Sequence, residues 1–268
     1  MRIGFLGAGN MAGAMIRGLR AKGHSADDVA AFDVATDKLE ALSADCGLTA
    51  TDSAAALITR SEIVVLAVKP QMLKEALADL QPALKSADPL ILSIAAGTPL
   101  STLESLCGAD RRIVRVMPNL NATVGEAMSA FCGNSRVTDA DYAAAETVLT
   151  AFGKAVRLPE SQFSAYSALA GCSPAYSMLY MDALLSAGVQ AGIDPEIAKA
   201  VVAQAVLGTA KLLAASPDSP EVWIERVCSP GGTTIEGVKV LRAEKVGDAV
   251  KAAAEASIRR DEELARNH

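Results

Sequence analysis

The sequence has few of the side chains that enzymes use most often for acid, base or metal chemistry. Its 268 residues include only two histidines, His24 and His268. The five cysteines stand singly and form no Cys-x-x-Cys pair, which predicts reduced thiols rather than disulfides or metal ligands. They are Cys46, Cys107, Cys132, Cys172 and Cys228. No metal site is expected.

The sequence also lacks a long basic run, and its formal net charge is -6. Nucleic-acid binding needs clustered Lys and Arg to neutralise phosphates, so nucleic acid is not an expected partner. No apolar segment with a small-residue cleavage site opens the chain, which predicts no signal peptide and a cytoplasmic location. Residues 163–181 carry no charge, but Gly171 and Pro174 interrupt them. We interpret them as a buried interface helix rather than a membrane span.

Aromatic residues make up only 4% of the chain, whereas hydrophobic residues make up 51%. The core must therefore be built mainly from Ala, Val, Leu and Ile, which favours closely packed helices and parallel strands. A chain of this length is expected to form one large or two medium domains.

A glycine-rich motif, Gly7-Ala8-Gly9-Asn10-Met11-Ala12, follows an apolar run at residues 3–6 and opens a segment of helical periodicity. Gly7 permits a tight turn, and Gly9 leaves the backbone open to the pyrophosphate of a dinucleotide. The N–H groups of the first helical turn would face the phosphates. An ordinary glycine-rich turn is the alternative. We predict cofactor contacts from Gly7, Gly9, Asn10 and Met11, with Asn10 as the helix N-cap.

Asp33 ends a second short strand about twenty residues beyond the glycine turn, where an acid would bind the ribose hydroxyls of the adenosine. The alternative is an aspartate that merely opens the next helix. No base follows directly, and the nearest candidates for a 2′-phosphate are Thr36 and Lys38. The residues therefore favour NADH slightly and leave NADPH open.

The apolar runs at residues 63–68 and 89–94 have the composition of parallel strands covered on both faces, and residues 111–117 are predicted to form a further strand of the same kind. Ligands of such sheets bind outside the carboxyl ends of the strands. Each strand end could also be only a turn. The predicted cofactor contacts at these ends are Lys69, Pro70, Ser93, Ala95 and Asn119.

Strands at 126–132 and 154–158, with a helix at 138–151 between them, are expected to complete the sheet with some antiparallel pairing. Pro159 marks the predicted end of a dinucleotide-binding domain over residues 1–159. Residues 160–268 are expected to be all-helical. The predicted helices cover 163–188, 195–215, 221–227, 233–241 and 246–266.

These helices have more apolar surface than a domain over residues 160–268 could bury by itself, which predicts a homodimer or a higher homo-oligomer. The expected fold is α/β, with an N-terminal Rossmann-type doubly wound sheet followed by an all-helical C-terminal dimerisation domain.

A second glycine-rich loop, Ser229-Pro230-Gly231-Gly232-Thr233-Thr234, leads directly into a predicted helix. Such a loop presents successive backbone N–H groups to an anion. Gly231, Gly232 and Thr233 could hold a carboxylate, and Thr234 could form one more hydrogen bond. The alternative is a well-capped helix with no ligand.

Here the chain resembles the pyrroline-5-carboxylate reductase family, whose signature is a Ser-Pro-Gly-Gly-Thr-Thr-Ile run near the C-terminus. It departs from the family at Leu120-Asn121, where Thr-Pro is common, and at residues 170–176, where Ser-Gly-Ser-Gly-Pro-Ala-Tyr is usual. The other matching motifs are Gly7-Ala8-Gly9-Asn10-Met11-Ala12, Ala67-Val68-Lys69-Pro70-Gln71, Ser93-Ile94-Ala95-Ala96-Gly97 and Arg115-Val116-Met117-Pro118-Asn119.

The resemblance implies reduction of 1-pyrroline-5-carboxylate to L-proline by hydride from NADPH or NADH, the last step of proline biosynthesis. It further implies that the loop from Ser229 holds the substrate carboxylate, that Thr234 acts as the catalytic group near the ring nitrogen, and that two subunits contribute to each site. A protonated imine is already an electrophile, so orientation matters more than a strong general acid.

Two other functions are weighed against this one. A beta-hydroxyacid dehydrogenase needs a base for alcohol oxidation, and residues 163–181 lack the lysine which that family places in its interdomain helix. A non-catalytic nicotinamide sensor should have an effector module, yet the second half has no basic recognition helix.

Overall fold

The computed structural model describes residues 1–266. The strands of its N-terminal part form one eight-stranded sheet. The strand order is β3-β2-β1-β4-β5-β6-β7-β8. Strands β1 to β6 are parallel, β7 is antiparallel to β6, and β8 is parallel to β7, which confirms the expected mixed pairing. The strands are β1 Ile3–Leu6, β2 Val29–Phe32, β3 Thr49–Ala50, β4 Ile63–Leu66, β5 Leu90–Ser93, β6 Ile113–Met117, β7 Ala127–Gly133 and β8 Gly153–Arg157.

Helices cover both faces of this sheet, as its continuously apolar strands require. Every residue of β1, β4 and β5 is buried. One core cluster contains Phe5, Met15 and Phe152, and the cluster on the opposite face contains Leu57 and Leu103. The helices of this part are α1 Asn10–Ala21, α2 Thr36–Cys46, α3 Ala54–Arg60, α4 Leu73–Leu77, α5 Gln81–Ala87, α6 Leu100–Cys107 and α7 Asp139–Leu149. The doubly wound sheet is therefore confirmed.

The prediction that Asn10 caps α1 is wrong, because Gly9 is the N-cap. Gly9 has an extended backbone (φ -74°, ψ 179°), and its carbonyl accepts the N–H of Gly13 at 2.9 Å. Asn10 is already helical, and no side chain caps the helix. The first N–H groups of α1 therefore have no side-chain acceptor.

The rest of the described chain is helical, as expected. It contains α8 Phe163–Tyr166, a π-helical turn at Ser167–Cys172, α9 Ser173–Gln190, α10 Pro195–Ala215, α11 Pro220–Val227, α12 Thr233–Ala243 and α13 Val246–Arg266. The prediction of one continuous helix over 163–188 is wrong. Pro174 has no N–H and its ring crowds the carbonyl of Ala170, so the segment cannot continue as a regular α-helix.

The chain divides into two compact units, the first being Met1–Gly171 with the segment from Ser257 onward and the second Cys172–Ala256. The first unit extends past Pro159 because Phe163 and Tyr166 are buried against Ala130 and Cys132 of β7. The sequence placed the boundary at residues 159 and 160 instead.

The second unit has almost no core of its own. Among its described residues, Ala198 is the only hydrophobic side chain that is fully buried. Met178, Leu179 and Val240 are more than 60% exposed. Within residues 1–266 one helix, Pro195–Ala215, is long and apolar enough to cross a membrane by length and composition. Apolar helices without a core are typical of subunit interfaces.

Candidate functional site

The first glycine turn has the shape that a bound pyrophosphate requires. Gly7 has φ +111°, and a Cβ there would lie 2.8 Å from the carbonyl carbon and oxygen of Ala67. A Cβ at Gly9 would meet no atom within 4 Å. Packing therefore requires glycine at position 7 but not at position 9, where the open space lies in front of the uncapped start of α1. This opening fits a phosphate group held by helix N–H groups. Asn10 is exposed and Met11 is half-buried beside it.

Asp33 connects the end of β2 to this turn. Its Oδ2 accepts the N–H of Ala8 at 2.7 Å, and its Oδ1 accepts the N–H of Ala35 at 2.9 Å. It is not the cap of α2, since Ala35 is the N-cap and has no side-chain cap bond. Each carboxylate oxygen has a second lone pair, so the half-buried group can still accept a ribose hydroxyl.

The predicted contacts after β4 and β5 lie along the same edge of the sheet as the glycine turn. The register pairs Leu6 with Leu66, and Leu66 with Ser93, so β1, β4 and β5 end side by side. Lys69 is exposed, whereas Ser93 and Ala95 are buried. This edge therefore offers small side chains on the β5 side and one cation on the β4 side.

Asn119 follows β6 at the same edge, but its side chain is directed into the protein. Nδ2 donates to the carbonyl of Ala170 at 2.9 Å, and Oδ1 accepts the N–H of Met128 at 3.2 Å. The residue is only 7% exposed. The sequence pattern around Asn119 does not reveal this arrangement, although Pro174 inside a helical pattern is a signal that a nearby carbonyl needs another donor.

The loop before α12, in the second unit, resembles the first glycine turn in that a glycine with positive φ precedes an extended glycine N-cap. Gly231 has φ +73°, and Gly232 is the extended N-cap (φ -79°, ψ 171°) of a helix with no side-chain cap. A Cβ at Gly232 would lie 2.5 Å from Ser229 Oγ. Thr234 is the second helical residue and not the N-cap, and no side chain caps α12. The alternative of a well-capped helix with no ligand therefore has no capping side chain to support it. The first N–H groups of α12 have no side-chain acceptor.

Thr234 also lines a cavity of about 390 Å³ within the second unit. Its neighbours there include Cys228, Leu212 and Trp223, so the walls are mostly apolar. Thr234 therefore offers a hydroxyl at the border between the glycine loop and an apolar surface.

Comparison with known proteins shows the family to which the chain belongs. Residues 160–264 match the model for pyrroline-5-carboxylate reductase dimerisation, and residues 2–97 match the model for NADP oxidoreductase, coenzyme F420-dependent. The chain is 37% identical to the pyrroline-5-carboxylate reductase of Pseudomonas aeruginosa, over 98% of this chain and 97% of the relative. The chain belongs to the pyrroline-5-carboxylate reductase family.

Other members of the pyrroline-5-carboxylate reductase family agree along the whole chain. The Escherichia coli K12 enzyme is 34% identical over 99% of both chains. The solved structure from Coxiella burnetii has a TM-score of 0.93 at 32% identity and covers 98% of both chains. A Plasmodium falciparum pyrroline carboxylate reductase, solved with NADP bound, has a TM-score of 0.87 at 27% identity and covers 99% of this chain and 98% of that one.

The buried thiols of this reductase family member are poor nucleophiles. Burial raises the pKa of the Cys107 and Cys132 thiols to about 12, so both stay protonated at neutral pH. Within residues 1–266 no group of three or more His, Cys, Asp and Glu side chains could hold a metal ion. His268, one of the two histidines, lies outside the described residues.

Proposed function

We infer that this chain reduces 1-pyrroline-5-carboxylate to L-proline with NADPH or NADH, the last step of proline biosynthesis. The observation that carries this inference is the pair of matching glycine loops in a member of this family. Each loop contains a glycine with positive φ and ends in an extended glycine N-cap, before a helix without a side-chain cap. One loop suits the pyrophosphate of the cofactor, and the other suits the carboxylate of the substrate.

We assign the cofactor to the edge of the sheet at the carboxyl ends of β1, β4 and β5. Gly7, Gly9, Asn10 and Met11 would hold the pyrophosphate, and Asp33 the adenosine ribose. The nicotinamide, which supplies the hydride, would lie near the buried small residues of β5. The assigned residues on this side are Lys69, Pro70, Ser93 and Ala95, with Asn119 at the end of β6 beside them.

We assign the substrate to the loop before α12. Backbone N–H groups of Gly231, Gly232 and Thr233, with the Ser229 hydroxyl, would bind the carboxylate, which orients the ring. Thr234 would hydrogen-bond the ring nitrogen as the imine becomes an amine. Because the protonated imine already accepts hydride, this hydroxyl needs to orient the nitrogen and does not need to supply a strong acid.

The second unit supports assembly of the protein into a homo-oligomer. Its exposed apolar helices and its match to the dimerisation model support a homodimer or a larger homo-oligomer. We propose that residues 160–268 form this interface, that two subunits contribute to each site, and that the enzyme works in the cytoplasm.

The test of the function is oxidation of NADH or NADPH followed at 340 nm. The purified protein is expected to oxidise the cofactor only after pyrroline-5-carboxylate is added, with proline as the product. Equal rates with and without the substrate, or turnover of a 3-hydroxy acid with NAD⁺ instead, would contradict the inference.

Replacing Gly232 by alanine is expected to raise KM for pyrroline-5-carboxylate by about tenfold, or 1.4 kcal/mol. The added Cβ would lie 2.5 Å from Ser229 Oγ and 3.2 Å from the Ser229 carbonyl oxygen, so the loop must shift. Steady-state kinetics measure the change, and the dissociation constant of NADH should stay the same.

Gly237→Ala is the matched control for this prediction, since Gly237 lies in the same helix α12 and a Cβ there meets no atom within 4 Å. It should leave KM unchanged. If the Gly232→Ala enzyme has the wild-type KM, the loop does not bind the substrate carboxylate.

A further inference from the structure

Asn119 lies at the point where β6 has ended while β7 continues. In the antiparallel register Met117 pairs with Ala130, so continuing that register places Asn119 opposite Met128. The Met128 N–H donates to Oδ1 of Asn119 at 3.2 Å. The side chain therefore replaces the carbonyl that one more residue pair of β6 would have supplied.

The other end of the same amide meets the π-helical turn Ser167–Cys172. In a regular α-helix, the carbonyl of Ala170 would accept the N–H of residue 174, but that residue is proline. Asn119 Nδ2 donates to this carbonyl at 2.9 Å instead. With Asn119 only 7% exposed, water has little access to replace the bond. Asn119 thus satisfies an acceptor that Pro174 deprives of its helical donor.

Two further contacts hold the turn on the same part of the sheet. The hydroxyl of Tyr166 donates to the carbonyl of Met128. Burial raises the pKa of Tyr166 to about 12, so the hydroxyl remains a donor at any physiological pH. A Cβ at Gly171 would lie 3.7 Å from Met117 Cε, which places the end of β6 beside the turn. Met128 is therefore held through its N–H by Asn119 and through its carbonyl by Tyr166.

We propose that Asn119 is a positioning residue for hydride transfer, which fixes the Ser167–Cys172 turn at the β6 end of the nicotinamide site. This rests on the proposed function, which places the nicotinamide along the carboxyl ends of β4 and β5. Ser93 at the end of β5 pairs with Arg115 of β6, so the clamped turn belongs to the same edge. Hydride transfer needs the two carbons within about 3.5 Å, and a misplacement of about 1 Å can cost roughly 100-fold in rate.

Asn119→Asp separates the two hydrogen bonds. The carboxylate keeps the acceptor for Met128 but replaces the donor to Ala170 with a second acceptor. We expect kcat to fall by at least about tenfold, because the turn is released. Since both ends of the Asn119 amide are bonded within the fold, KM for pyrroline-5-carboxylate and the dissociation constant of NADH should change less than about threefold.

Asn134→Asp is the matched control. Asn134 is 8% exposed and lies in the same strand pair at the opposite end, where its Oδ1 accepts the N–H of Ile113 and its Nδ2 donates to the carbonyl of Arg111. This variant should lower Tm about as much as Asn119→Asp, yet leave kcat within about twofold of wild type.

Pro174→Ala gives the decisive comparison, because it restores an N–H four residues after Ala170. In the double variant that combines Asn119→Asp with Pro174→Ala, the N–H of residue 174 can satisfy the Ala170 carbonyl. Most of the kcat lost in Asn119→Asp should therefore return. If Asn119→Asp does not fold, Asn119→Ser is compared with and without Pro174→Ala in the same way.

The positioning role is overturned if Asn119→Asp and Asn134→Asp have the same kcat, or if Pro174→Ala restores none of the loss. A wild-type protein that cannot reduce pyrroline-5-carboxylate would instead overturn the proposed function, and the positioning role with it. If the wild-type protein reduces pyrroline-5-carboxylate and Asn119→Asp has the same kcat as the wild type, only the positioning role is overturned.

Discussion

Thr234→Ala is expected to lower kcat for pyrroline-5-carboxylate by about 5- to 150-fold, equivalent to about 1 to 3 kcal/mol of lost hydrogen bonding. The hydroxyl would orient the ring nitrogen in the transition state, where the imine becomes an amine. KM should change less than kcat, since the carboxylate is held by the backbone of the same loop. Steady-state kinetics with saturating cofactor measure both constants.

Thr234→Ser is expected to recover most of this loss, because the hydroxyl survives. The structure also predicts the effect of Thr234→Ala on thermal stability. Gly232 is the N-cap of α12, and no side chain caps that helix, so removal of the Thr234 hydroxyl should leave Tm nearly unchanged. Thr147→Ala, which removes another exposed helical hydroxyl, bonded to the carbonyl of Ala143, is a suitable control for stability. A Thr234→Ala enzyme that melts earlier but turns over at the wild-type rate would restrict Thr234 to a structural role.

Asp33→Asn is expected to shift cofactor preference towards NADPH by about tenfold or more, at least 1.4 kcal/mol in the ratio of dissociation constants. The Asp33 carboxylate lies 2.7 Å from the N–H of Ala8 in the glycine turn, so its charge stands beside the expected adenosine ribose. It can accept ribose hydroxyls of NADH, but it repels a 2′-phosphate. Calorimetric titration of NAD⁺ and NADP⁺ into each variant measures the ratio without turnover.

Asp27→Asn removes the same charge from the other end of β2 and should leave this ratio unchanged. Asp27 is exposed and precedes the strand, whereas Asp33 follows it. A wild-type preference for NADPH of more than about 100-fold, or 2.7 kcal/mol, would contradict the proposed role of Asp33. Thr36 and Lys38 would then be the residues to test as a phosphate site.

Much of the fold was predictable because its signals are local. Continuous apolar runs identified the buried strands, and periodic runs identified α10 and α13 at the bounds that the structure has. The start of a helix was less predictable where the N-cap is a glycine, which has no side chain to form a capping hydrogen bond. Asn10 was a good N-cap by residue type, yet the extended backbone at Gly9 places the cap one residue earlier.

The sequence by itself determined the order of elements, the two glycine loops and the family. These properties depend on residues close together in the chain, where pattern and spacing carry the information. Only the tertiary structure decided what Asp33 and Asn119 contact. Asp33 meets Ala8 across 25 residues and Asn119 meets Ala170 across 51, so each contact depends on strand register and helix packing. Neither quantity is encoded in the residues next to the side chain, so the sequence alone did not show that the amide of Asn119 is bonded within the fold.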